Sequence, residues 1–281
     1  MANRALLVGI NAYPGQPLNG CVNDVNDMAR LLVDACGFRS AEIRLVVDAR
    51  ATTANIRDRL EWLVAGAKPG DRLFFHYSGH GARFPVRNAQ GDVTAVHDTI
   101  CPVDFDWSEA HALLDVNLQA IVDKVPEGTE FVYVSDSCNS GDLTRELRPY
   151  AIRAMIPPAD IAWRLRTARD LSIKPSEITH DRCALISGCR SDQTSADAVF
   201  GGRYNGALSY YLLQSLQHAG GLRAPLTQLV PDVVQRLAKG GYEQVPQLRG
   251  PDALTQRAFL ARAAVAPAAA IAAMDRGPSY G

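Results

Sequence analysis

The chain has 281 residues, 47% of them hydrophobic, and a formal net charge of −1. That length holds one large α/β domain or two small ones, with enough apolar material for a sizeable core. A charge this close to zero gives no sign of nucleic acid or an anionic membrane as partner, and no apolar run is long enough to span a bilayer.

In chain order, Leu6–Ile10 reads as the first strand, and Asp24–Cys36 as a helix with Val25, Met28, Ala29, Leu32 and Val33 on one face. Ile43–Val47 is a strand, and Thr53–Gly66 a helix capped by Thr52 or Thr53. Arg72–Tyr77 is the third strand, Asp115–Val125 a helix and Phe131–Ser135 the fourth strand. Cys183–Ser187 is a fifth, Gly206–Gln217 and Pro225–Ala238 are helices, and Arg257–Leu260 is a short last strand. The βαβ rhythm predicts an α/β fold, a mostly parallel central sheet with helices on both faces. Three stretches break it. Residues 84–107 read as a hairpin and an aspartate-rich loop. Residues 142–180 show no regular core element and carry seven basic residues, Arg145, Arg148, Arg153, Arg164, Arg166, Arg169 and Lys174. The alanine-rich tail, 261–281, reads as partly disordered.

Six cysteines, Cys21, Cys36, Cys101, Cys138, Cys183 and Cys189, are scattered without a CxxC pair, a pattern of buried thiols rather than disulfides or zinc. The apolar stretch before Asn11 is too short for a signal peptide, so the cytoplasm is the expected compartment. Cys138 stands apart by context. Two segments, Tyr77-Ser78-Gly79-His80-Gly81 and Asp136-Ser137-Cys138-Asn139-Ser140-Gly141, each follow an apolar strand and place a histidine or a cysteine in a glycine-bearing turn. The C-terminal ends of parallel strands are where open α/β sheets bind ligands. A thiol at such a place, beside a histidine that takes its proton, is an activated nucleophile. The backbone N–H groups of Gly81 and Cys138 are natural donors to a developing oxyanion. Asp136 lies two residues before Cys138, so on a strand the two side chains share a face.

These segments, with Asn19-Gly20-Cys21-Val22-Asn23-Asp24 and Ser187-Gly188-Cys189-Arg190-Ser191-Asp192-Gln193-Thr194-Ser195-Ala196-Asp197, resemble the metacaspases, caspase-like cysteine peptidases. Asp98-Thr99-Ile100-Cys101-Pro102-Val103-Asp104 and Gln244-Val245-Pro246-Gln247-Leu248 fit the same family, and the likeness spans about 4–260. It implies one caspase-like domain over 1–260, with 1–141 as the large-subunit region, 142–181 as an insert or linker and 182–260 as the small-subunit region. It implies a Cys138–His80 dyad and cleavage after Arg or Lys, read by an acidic pocket of Asp24 and Asp136 with Cys21 and Ser78 beside them. The alternative reading of Asp24 is an N-cap of the following helix. The resemblance further implies a polypeptide substrate, a monomer, self-cleavage within 142–180 at one of its basic residues, and no cofactor for the chemistry. Calcium is expected at most as an activator, with Asp92, Asp98, Asp104 and Asp106 as candidate ligands and Asp142 near the catalytic loop, although no EF-hand spacing is present. One departure stands out: Asn139 follows the cysteine, where metacaspases commonly have histidine. Two rivals stay open, a related peptidase with another specificity and a caspase-fold interaction protein without catalysis.

Overall fold

A computed structural model describes residues 1–139, 150–173 and 180–260. The strands are β1 Asn3–Gly9, β2 Ile43–Val47, β3 Arg72–Ser78, β4 Gly81–Arg87, β5 Val93–Ile100, β6 Leu113–Leu114, β7 Glu130–Asp136, β8 Ala151–Ile152, β9 Ala184–Ser187, β10 Ala196–Phe200, β11 Arg203–Gly206 and β12 Gln247–Arg249. The helices are α1 Cys21–Asp34, α2 Thr53–Val64, α3 Asp115–Val122, α4 Ala159–Asp170, α5 Ala207–Gln217, α6 Leu226–Lys239 and α7 Asp252–Thr255. Six strands form the central sheet in the order β12-β9-β7-β3-β1-β2. All neighbours pair in parallel except β12, which runs antiparallel to β9.

The central strands are buried on both faces, and their alternating side chains divide between two cores. Leu6 and Val8 of β1, Phe75 and Tyr77 of β3, and Phe131 and Tyr133 of β7 join Ile56, Leu60 and Leu63 of α2 and Ile121 of α3. Ala5 and Leu7, Phe74, and Val132 and Val134 face the other way, onto Val25, Met28 and Leu32 of α1, Leu208 and Leu212 of α5, and Leu229 and Val233 of α6. Truncating one of these side chains, Leu7→Ala for instance, costs about 2–5 kcal/mol.

Three expectations need correction. Helix α1 starts at Cys21, three residues earlier than expected, because the Asn11 side-chain carbonyl accepts the Cys21 N–H at 2.9 Å and so covers its open N-terminus. The last strand is β12, antiparallel at the sheet edge. The segment expected as a strand, 257–260, forms only a single bridge between Ala258 and Pro225 and buries Phe259 edge-on against Phe74. Within 142–180 the described residues include α4, anchored by buried Ile161 and Ala168, and β8, which exists only as a pairing with β10. The cap of α2 is Thr52, whose hydroxyl accepts the Asn55 N–H at 3.3 Å. The tail from 261 on, together with Asp142, Arg145, Arg148 and Lys174, lies outside the described residues.

Candidate active site

The register of β3 and β7 brings the two motifs together. Ser78 is paired with Asp136, so His80 and Cys138, each two residues further along parallel strands, leave the sheet side by side. The N–H groups of Gly81 and Cys138 converge on one acceptor, the main-chain carbonyl of Arg153, at 3.0 and 3.1 Å. Two donors on one carbonyl oxygen have the geometry of an oxyanion hole. The close approach needs glycine at 81, because a Cβ there would run into Asn139 and the Cys138 carbonyl.

His80 is held from several sides. Its Nε2 lies 2.8 Å from the Gln16 carbonyl, which can only accept, so the proton sits on Nε2 and Nδ1 is left as the basic nitrogen. Its backbone N–H donates to the Tyr13 hydroxyl at 3.0 Å, and the Tyr77 hydroxyl donates to its carbonyl at 2.6 Å. The Tyr13 ring packs against the imidazole, centroids 4.6 Å apart. Burial pushes the His80 pKa down to about 4, so the ring is neutral at pH 7. Its Nδ1 is buried and has no hydrogen-bond partner. The Cys138 thiol, also buried, donates instead to the Gln193 carbonyl at 2.8 Å, and Cys189 is hydrogen-bonded to it. The expected partners thus share the crevice, but the thiol does not yet donate to the histidine. Such contacts commonly tighten only as the reaction proceeds.

The acidic pocket is present, and the chain's own Arg153 fills it. The Arg153 side chain is fully buried. Its Nη2 donates to Asp24 and to Asp197, both at 2.8 Å, and its Nη1 donates to the Ser78 hydroxyl at 2.7 Å and faces Asp136 at 3.2 Å. Ser78 in turn donates to Asp24 at 2.8 Å. Each carboxylate is braced from behind. Asp136 accepts from the Ser195 and Ser209 hydroxyls at 2.7 and 2.8 Å, Asp24 from the Asn205 side chain at 2.9 Å, and Asp197 from the Gly20 and Asn19 N–H groups at 3.0 and 2.8 Å. Gly206 forms the floor, where a Cβ would collide with Asp136 and the Arg153 guanidinium. Burial drives the Asp24 pKa up to about 7, with the Arg153 cation pulling it down and Asp136 pushing it up. Cys21 lies beside this group, its thiol pushed up by burial and drawn down by Arg153. Asp24 sits in the first turn of α1, but its carboxylate serves the pocket rather than capping the helix. The main chain around Arg153 is held as a strand: β8 pairs antiparallel with β10, and the Arg153 N–H donates to the Ser195 carbonyl at 3.0 Å.

The model of the metacaspase peptidase C14 domain matches residues 3–145. The chain belongs to the metacaspase family. It is 32% identical to metacaspase-1 of Scheffersomyces stipitis over 87% of this chain and 70% of that one. It is 30% identical to metacaspase-9 of Arabidopsis thaliana over 92% and 96%. It spans only 37% of Arabidopsis metacaspase-7, to which its matched part is 43% identical, so it covers well under half of some relatives. A crystal structure of a Geobacter sulfurreducens protein superposes with a TM-score of 0.69 at 26% identity, covering 93% of this chain and 99% of that one. Caspase-1 of Spodoptera frugiperda superposes with a TM-score of 0.58 at 13% identity, covering 94% and 91%, which establishes the caspase-like fold.

In this metacaspase the sequence-derived site residues Cys138, His80, Gly81, Cys21, Asp24, Ser78 and Asp136 lie together. Asp197 and Ser195 belong to a motif already noted in the sequence, but nothing local marks them as pocket residues. Arg153 was one of seven basic residues expected as cleavage candidates, while Asn205, Ser209 and Gln16 carry no sequence signal at all. The calcium candidates do not gather: among the described residues no three His, Cys, Asp or Glu side chains could hold a metal ion. Asp104 accepts from the Thr53 N–H and hydroxyl at 2.8 and 2.9 Å, at the start of α2. Asp106 pairs with His111 at 2.9 Å, and Asp92 closes a turn with Asn88. Asp98 is hydrogen-bonded to Asn139, the residue that departs from the family pattern. No helix among the described residues is long and apolar enough to cross a membrane.

Proposed function

We propose that this metacaspase is a cysteine endopeptidase that cleaves after arginine, with lysine second, and that its first substrate is its own Arg153–Ala154 bond. One observation carries the reading: the Arg153 carbonyl sits between the Gly81 and Cys138 N–H groups while its guanidinium occupies the pocket of Asp24, Asp136 and Asp197. In the first step His80 Nδ1 takes the thiol proton, and Cys138 Sγ bonds to the carbonyl carbon of Arg153. The resulting oxyanion stays between the two N–H groups. As it collapses, the bond to the Ala154 nitrogen breaks and His80 hands that nitrogen its proton. Water, deprotonated by the same imidazole, then hydrolyses the thioester, frees the Arg153 carboxylate and restores the thiol. The low pKa of His80 keeps it an unprotonated base at neutral pH.

Arginine is preferred because its two terminal nitrogens reach different carboxylates, a fork that a lysine ammonium cannot reproduce. Aspartate would set like charges together in a buried site. The proposal includes a monomer in a reducing cytoplasm, a compartment that six free cysteines fit. A panel of fluorogenic peptides differing only in the residue before the cut tests the specificity. Arg should exceed Asp by about 10²- to 10⁴-fold, from the roughly 3–5 kcal/mol lost when a buried charge loses its partner. Comparable rates on Asp peptides, or activity surviving in Cys138→Ala, would overturn the reading.

A further inference from the structure

The residues after Arg153 are placed as deliberately as those before it. Ala154 is buried and bridges to Gly81 in parallel. The Met155 N–H donates to the Gly81 carbonyl at 2.8 Å, and the Met155 side chain is buried in the core cluster that contains Tyr13, Leu18 and Cys101. Ile156 differs: its side chain is 49% exposed, but its main chain is gripped at both ends. Its N–H donates to the Gln16 side-chain carbonyl at 2.8 Å, and its C=O accepts from the Gln16 side-chain amide at 3.3 Å. Gln16 lies in the loop between β1 and α1, 140 positions away in sequence, and its own main-chain carbonyl holds His80 Nε2.

We propose that Gln16 is a specificity residue for the leaving-group side of the substrate: its amide clamps the main chain of the third residue after the cut, beside a buried site that takes an apolar second residue. This rests on the reading that Arg153–Ala154 is the bond attacked. A side chain bonded to both N–H and C=O of one residue recognises an extended backbone whatever that residue's side chain, as strand addition does. The exposed Ile156 side chain is therefore unread, while the Met155 position selects by burial. The substrate class is a polypeptide that continues in extended form at least three residues past the arginine, with an apolar residue second. A peptide ending in a leaving group directly after arginine makes none of these contacts. The clamp also touches the catalytic histidine's support, because the residue that grips the substrate is the one that orients His80.

The test uses internally quenched peptides built on Ala-Ile-Arg-Ala-Met-Ile-Pro-Pro, the chain's own 151–158. One variant peptide carries an N-methyl group on the third residue after arginine, and another has Asp in place of Met. With the unmodified enzyme, each change should lower kcat/KM by about tenfold, the scale of one or two lost hydrogen bonds or one buried apolar side chain. In Gln16→Ala the N-methyl penalty should shrink to about twofold or less, while the Asp penalty remains. Kinetics on a peptidyl-arginine aminocoumarin, with circular dichroism, show whether that variant is folded and report its loss on a substrate lacking those residues. An N-methyl penalty of the same size in Gln16→Ala, or equal rates on all three peptides with the unmodified enzyme, would overturn the inference. Failure to cut any of the arginine peptides would instead overturn the peptidase reading beneath it.

Discussion

Two sets of aspartates in this chain have opposite fates. Asp92, Asp98, Asp104 and Asp106 lie within fifteen positions of one another, yet each is drawn to its own neighbour. Asp92 closes a turn, Asp98 bonds Asn139, Asp104 holds the start of α2, and Asp106 pairs with His111. Asp24, Asp136 and Asp197 are separated by more than sixty positions each and converge on one guanidinium. The difference lies in what holds the backbone. The first set sits on a hairpin and the loop after it, where a different neighbour claims each residue: Asn88, Asn139, Thr53 and His111. The second sits at the first turn of α1, at the end of the central strand β7 and on β10, the middle strand of a small three-stranded sheet. Carboxylates converge where rigid elements aim them and not where the sequence merely concentrates them.

The largest expected effect comes from removing one of the convergent set. Asp136→Ala leaves Arg153 facing two carboxylates and removes the carboxylate acceptor of the Ser195 and Ser209 hydroxyls. Breaking a buried pair by removing one partner costs about 3–5 kcal/mol. Chemical denaturation should show a loss of that order, and kcat/KM on arginine peptides should fall by about 10²- to 10⁴-fold. A loss under about tenfold would mean that the pocket does not read the substrate charge. Gly206→Ala tests the floor of the same pocket. Its methyl group competes with the guanidinium, so arginine cleavage should drop about 10²-fold or more, on the scale of a few kcal/mol for overpacking a tight site. Unchanged kinetics would show that the pocket gives way more readily than its packing indicates.

Proton linkage sharpens the comparison further. Burial holds the Asp24 pKa up at about 7, while the Arg153 cation beside it pulls the other way. Below its pKa the carboxyl is neutral and the pocket has one negative charge fewer for the substrate. Since kcat/KM reports the free enzyme, its value on arginine peptides should rise with pH through the neutral to mildly alkaline range. His80, at about 4, would give a limb far lower. Asp24→Asn should abolish the neutral limb; its persistence in that variant would assign it to another group. The smallest effect belongs to the scattered set. Asp104→Ala should cost about 1 kcal/mol, the worth of a helix-start contact, and leave peptide cleavage within about twofold. Assays in chelator and in millimolar calcium bear on the activator expectation: a calcium response that disappears in Asp104→Ala would restore the acidic loop as a metal site.

The strand ends were legible from sequence because their signals are local: an apolar run, then glycine around a histidine or cysteine. Asp24 and Asp136 were legible only through the family motifs in which they sit. What escaped was made by distant pairing. The β8 strand is two residues long and has no pattern of its own; it exists because Ala151 and Ile152 meet the edge of β10. Helix α4 buries only Ile161 and Ala168, too few apolar positions to stand out among its arginines. Arg153 looked like one basic residue among seven, and nothing short of the fold shows that its carbonyl and its guanidinium reach the hole and the pocket together. Gln16, in a loop of prolines and glycines, acquires its role only when Ile156 is laid against it.

Arg153 is proposed to be presented to Cys138 as a substrate. Incubating the purified protein beside its Cys138→Ala variant, and sequencing new N-termini by mass spectrometry, tests it most directly. A fragment beginning at Ala154 should appear in the unmodified protein and not in the variant. An unmodified protein that cleaves arginine peptides while its own Arg153–Ala154 bond stays whole would contradict it and make Arg153 a plug rather than a substrate.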